Sequence, residues 1–194
     1  YAEARVHLHR GRNLATLGEL KAARTELATA HELAARIGDP RTRGRARLFQ
    51  AECDVFTGRA PRAKALLLDA LREAERAKDQ VMAAHARACL LLADPKLELP
   101  AEPERIGAPL ADVMQLLAHA LRRRDAGDEA AANPLLREAC ALEAKARVVL
   151  PLRIFLLRSA GRDRAAERLI DVALDRMPQE YRRRFLAFVA RVGT

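Results

Sequence analysis

The sequence predicts an all-α fold: an array of antiparallel helix hairpins followed by one further C-terminal helix. Composition, a recurring set of spacings and the placing of helix stops predict it. Of 194 residues, 41 are Ala, 30 Leu and 30 Arg, against 5 Lys, 9 Gly and 9 Pro. Ala, Leu, Arg and Glu are strong helix formers. Only 4% of the chain is aromatic and Trp is absent. So few aromatic and β-branched residues leave nothing to build a large sheet. With half of its residues apolar, the chain can bury a core, which excludes disorder.

The spacings carry the argument further. Gly18 is followed by Ala23, Leu27 and Ala30; Gly58 by Ala63, Leu67 and Ala70. Gly127 is followed by Ala132, Leu136 and Ala139, and Gly161 by Ala166, Ile170 and Ala173. The offsets are +5, +9 and +12 each time. Those three positions share one face of a helix. Each glycine then sits where one helix stops and the chain turns into the next. Alanine at +5 and +12 lets two helix backbones approach, and the aliphatic residue at +9 fills the seam. Seven residues before each glycine lies a position for the first helix of the pair: Gly11, Ala51, Ala120 and, larger than the rest, Ile154. The frames lie 40, 69 and 34 residues apart, so one degenerate unit falls between Gly58 and Gly127.

In order, the predicted helices span 2–17, 20–37, 41–57, 60–77 and 80–93, then 110–125, 129–145, 149–160, 162–176 and 178–191. Gly38-Asp39-Pro40 is a helix stop followed by a residue that cannot continue one. Pro61 and Pro178 suit first-turn positions. Asn133-Pro134 could move the start of the 129–145 helix to Asn133, and Pro151 places the next start near Leu150. Residues 94–109 hold four of the nine prolines and stand where the degenerate unit lacks its second helix. They read as a structural insertion, or alternatively as an interaction loop. The organisation expected is two hairpins over 1–78, a degenerate repeat with a Pro-rich loop over 79–109, two hairpins over 110–177 and the capping helix over 178–194.

The small first-helix residue, the turn glycine and the Ala–aliphatic–Ala stripe together resemble tetratricopeptide repeats (TPR). Gly11, Gly18, Ala23, Leu27 and Ala30 carry the resemblance in the first unit, and Gly58, Ala63, Leu67 and Ala70 in the second. The resemblance implies a right-handed superhelix, a TPR-like α-solenoid. His7 and Leu14, then Arg47 and Asp54, stand where the family usually has aromatic residues. Units rich in Ala, Leu and Arg with a Gly-Asp ending are similar to the arrays of large bacterial regulators: serine/threonine kinases, signal-transduction ATPases and transcriptional activators. The last segment, with Phe185, Phe188 and Val189 inward and Arg182–Arg184 outward, resembles the solvating helix that ends such arrays.

No catalytic motif stands out. A phosphate-cradling glycine loop, GxSxG, HExxH and CxxC are all missing. His7 and His9 diverge on their helix, as do Glu73 and Glu75, and Asp125 and Asp128 read as turn and cap. Cys53, Cys89 and Cys140 lie apart among alanines and leucines and read as core residues of a reducing cytoplasm. The expectation is a protein without enzymatic activity, cofactor or metal. No apolar run nears the ~20 residues that span a bilayer. The chain begins at Tyr1 with no signal segment after it, and reads as a piece of a longer polypeptide.

Binding is the remaining function. The resemblance implies a concave face lined by the first helix of each pair. By register it comprises Arg5, Leu8, His9 and Arg12 in the first unit, then Arg45, Leu48, Phe49 and Glu52 in the second. Later units add Met114, Leu117, Leu121 and Arg124, then Phe155 and Arg158. Family members that clamp a peptide carboxylate use lysine and asparagine at set positions, and here Leu8 and Arg12 stand at the first such pair. Net charge is +9, divided as +6 over residues 1–97 and +3 over 98–194. A basic groove with apolar patches suits an acidic peptide or protein partner. Nucleic acid is the alternative, weakened by the scarcity of aromatic residues for stacking; self-association of the parent protein is a third reading.

Overall fold

In the computed structural model, the residues described are 1–94, 96–98, 100, 102–143, 145, 146, 148, 150–159 and 161–176, with 179, 182, 183 and 186 beyond them. They form nine helices and no strand. These are α1 (Ala2–Thr16), α2 (Leu20–Arg36), α3 (Pro40–Phe56), α4 (Ala60–Arg76), α5 (Gln80–Ala93), α6 (Pro109–Asp125), α7 (Glu129–Glu143), α8 (Leu150–Ser159) and α9 (Asp163–Arg176). Each helix packs on the next, and α3 also touches both α1 and α5. The capping helix expected over 178–194 lies outside the described residues, apart from four isolated positions. None of the described helices is long and apolar enough to cross a membrane.

One turn device joins most of these helices. The residue after the turn donates its N–H to a carbonyl five residues back: Glu19 to Leu14, Asp39 to Ala34, Arg59 to Asp54, Asp79 to Ala74, Asp128 to Arg123 and Arg162 to Leu157, all at 2.8–2.9 Å. This bond closes the end of the helix and requires a left-handed residue just before the donor. Gly58 (φ 72°) fills that position in the second unit. Twenty residues later Lys78 does so at φ 51°, although it carries a side chain. The strain at Lys78 is about 1 kcal/mol, and the next residue offsets it. Asp79 caps α5 by accepting the N–H of Met82 at 3.1 Å. Asp39 and Asp128 cap α3 and α7 in the same way.

The small–large–small stripe is the seam of the core. Ala23, Leu27 and Ala30 are fully buried, as are Ala63, Leu67 and Ala70, and the matching residues of α7 and α9 are at most 5% exposed. Burying one such leucine contributes about 2 kcal/mol. Gly11 shows why α1 needs a small residue: a Cβ there would lie 2.7 Å from Leu27 Cγ and 3.1 Å from the Ala23 carbonyl. One continuous cluster runs from Leu8 to Leu156, and a second, around Ile154 and Ile170, joins α8 to α9.

The start expected at residue 129 holds, and the alternative start at Asn133 does not. Helix α7 starts at Glu129 and runs through Pro134. The Asp128 cap fixes that start, and a proline this near the N-terminus removes only one intrahelical bond. The Pro-rich stretch after α5 is pinned by α6. One nitrogen of Arg122 donates to the carbonyls of Leu91, Asp94 and Leu97, at 3.4, 2.7 and 3.0 Å. Asp112 accepts the Ile106 N–H at 3.0 Å, and Arg105 pairs with Glu138 on α7.

Candidate functional site

A groove of about 380 Å³ crosses α1, α3 and α5. Helix α1 supplies Leu8, His9 and Arg12, α3 supplies Arg45, Leu48 and Phe49, and α5 supplies Val81, Met82 and His85. Each trio spans one helical turn, so its members share a face. In a 40-residue frame the lining steps about one turn toward the N-terminus from each helix to the next, and the groove therefore runs obliquely. The start of α6 (Ala108–Ala111) and the turn after α7 (Lys145, Ala146) close its other wall. The lining carries Arg12, Arg45 and Lys145 and no carboxylate.

Its floor is an ordered polar cluster. Arg12 donates to Glu52 Oε2 at 2.7 Å, and its guanidinium sits 4.6 Å from the centre of the Phe49 ring. Glu52 is completely buried and Arg12 nearly so. Burial pushes the Glu52 carboxyl above its ordinary pKa, and Arg12 opposes that push. The His85 ring lies 6.2 Å from Phe49, and its Nε2 is 3.7 Å from Glu52 Oε2, too far for a hydrogen bond. Burial, aided by Arg12, lowers the His85 pKa to about 3, so the ring is neutral at pH 7. Arg45, at the rim, donates to Asp79 at 3.1 Å. The cap that starts α5 thus also orients a groove cation.

Of the residues expected on the concave face, Leu8, His9, Arg12, Arg45 and Phe49 come together in this groove. Arg5 lines an adjoining shallow hollow with Ala2, Val6 and His9. Glu52 lies beneath the floor and is inaccessible. Leu117 and Phe155 are each 1% exposed and belong to the main core. The two are buried because α6 is packed between α5 and α7, and Phe155 faces the main cluster from α8. Arg124, at the end of α6, is half-buried and away from the groove lining. Arg158 is paired with Glu167 on α9 at 2.5 Å. The register missed Val81, Met82 and His85, because α5 follows Lys78 rather than a glycine. Asp79, forty residues after Asp39, was the signal that could have located them.

Two further features of the neighbourhood are structural. Asp54, fully buried at the end of α3, lies 3.2 Å from Arg24 Nε, 3.2 Å from Arg62 Nε and 3.9 Å from Arg59. Three cations from α2, the turn and α4 therefore converge on one carboxylate. Cys53 and Cys89 are fully buried, and burial pushes the Cys53 thiol up to about 12. Cys140 donates to the Leu156 carbonyl at 2.8 Å. Among the described residues, no three His, Cys, Asp or Glu side chains gather as metal ligands.

The chain is thus a helical array with a cationic, partly apolar groove over three of its helices. Comparison with protein families, with curated proteins and with solved structures found no match.

Proposed function

We propose that this chain is a TPR-like array of antiparallel hairpins and a non-catalytic protein–protein interaction module, which holds an acidic, partly apolar peptide segment of a partner in the α1–α3–α5 groove. One observation carries the reading: the lining combines Arg12, Arg45 and Lys145 with Leu8, Leu48, Phe49, Val81 and Met82, and has no carboxylate. Apolar side chains of the segment would displace water from the Phe49–Met82 stretch, and its carboxylates would meet the rim cations. Arg12 is held by Glu52 and Arg45 by Asp79, so these two cations are fixed in place and Lys145 is the adjustable one. The TPR resemblance further suggests a place within a larger bacterial cytoplasmic regulator.

Fluorescence anisotropy with acidic amphipathic peptides, and with charge-reversed versions of them, tests this. Expected are dissociation constants in the micromolar range, about −8 kcal/mol. Arg45→Glu or Lys145→Glu should weaken binding about tenfold each while the helical circular dichroism stays unchanged. Equal binding of the basic peptides, or affinity indifferent to both reversals, would remove the groove from the account.

A further inference from the structure

On the opposite side of α3 lies a second cleft, about 680 Å³, walled by α2, α3 and α4. Helix α3 serves both sides: Arg45 and Phe49 face the groove, whereas Arg43 and Arg47, two residues out of step, face the cleft. We propose that this cleft binds a phosphate group, either as a free inorganic ion or on a phosphorylated side chain of a partner.

The charge balance points to that ligand. Arg43, Arg47, Arg72 and Arg76 line the cleft with only Asp69 and Glu73 to oppose them, an excess of two positive charges. Arg72 pairs with Asp69. Arg43 and Arg76 share a single oxygen of Glu73, at 2.7 and 3.4 Å. Arg47 is half-buried and makes no hydrogen bond or ion pair among the described residues. A partly desolvated cation without an anion is costly, and an incoming anion relieves that cost. Phosphate brings a charge of about −1.5 to −2 and three acceptor oxygens, which match both the excess and the planar forks of several guanidinium groups. The cleft is a single concave locus with no Phe, Tyr or Trp in its lining and His31 as its one ring, so it has no run of stacking platforms for successive nucleic-acid bases.

His31 supplies a built-in reporter. Its Nδ1 lies 3.4 Å from the Arg43 carbonyl, and burial and the Arg47 charge lower its pKa against the opposing pull of that carbonyl. Arg43, Arg47, Arg72, Arg76, Asp69, Glu73 and the neighbouring Glu32 are the charged groups around it. A phosphate beside Arg47 should raise the His31 midpoint, which NMR of the ring reads directly.

The experiment is isothermal titration at about 150 mM salt with inorganic pyrophosphate, with a phosphoserine peptide and with its unphosphorylated twin. Saturable binding of at least one phosphate probe is expected. It should weaken about tenfold in Arg47→Ala and more in Arg47→Glu, the loss of one charge-assisted contact. Arg137→Glu, an equal charge change on the exposed face of α7, should leave it within about twofold. Binding of the phosphopeptide alone assigns the phosphate to a partner's side chain; binding of pyrophosphate alone assigns it to a free ion. The proposal is overturned if neither phosphate probe saturates, or if the unphosphorylated twin binds equally. It is also overturned if Arg137→Glu weakens binding as much as Arg47→Glu. Thermal melts of the Arg47 variants, expected unlowered, separate loss of the site from loss of the fold.

Discussion

Arg12 and Glu52 are forty residues apart, the same spacing that separates Gly18 from Gly58, and meet at 2.7 Å beneath the groove. Two positions one such spacing apart are thus bonded to each other. The pair ties α1 to α3 and fixes the guanidinium over Phe49.

Such a pair is asymmetric in its energetics. Arg12→Leu strands the Glu52 carboxylate in the core and should destabilise the chain by about 3 kcal/mol, read from urea unfolding. The double variant Arg12→Leu/Glu52→Leu removes both charges and should recover most of that loss. A double variant no more stable than the single one would show that the pair is not coupled.

His85 should make stability fall with acid. Its folded pKa, about 3, lies below the ordinary value of 6.5. As the pH drops the unfolded chain takes up the proton first, so this contribution is complete above about pH 6.5 and is lost toward pH 3. Between pH 6 and 5 the parent should lose about 1.2 kcal/mol more than His85→Leu. His31 and His119, also lowered by burial, act in the same direction and are common to both proteins. Identical slopes for parent and variant would contradict the buried neutral ring.

Close packing of α1 on α2 yields a third expectation. A side chain at Gly11 would strike Leu27 Cγ and approach the Ala23 carbonyl. Gly11→Val should therefore cost about 2 kcal/mol or more, and Ala63→Leu, in the buried stripe of α4, about 1–3 kcal/mol. Calorimetry should show both as lowered Tm.

Much of this fold was legible because its turns and seams use residues with narrow roles. Gly18, Gly58, Gly127 and Gly161 mark four helix ends, and the stripe after each proved buried to the last residue. The turn at Lys78 was hidden because a lysine there takes the conformation expected of glycine, held by its hydrogen-bonded surroundings. That one substitution concealed the register of α5 and with it a third of the groove. Periodicity also cannot tell which side of a helix is covered by non-neighbouring elements. Leu117 and Phe155 occupy the expected face of their helices, but α5 and the main core cover them. Glu52 was found as a polar residue of the right face, while its burial follows from the meeting with Arg12.

The most direct test of the central claim maps where an acidic peptide lies. A peptide with a photo-activated cross-linker, bound at saturation, should attach to Leu8, Phe49, Val81 or Met82, residues brought together only by the groove. Attachment confined to α2 and α4, or scattered over all the helices, would contradict binding in the groove.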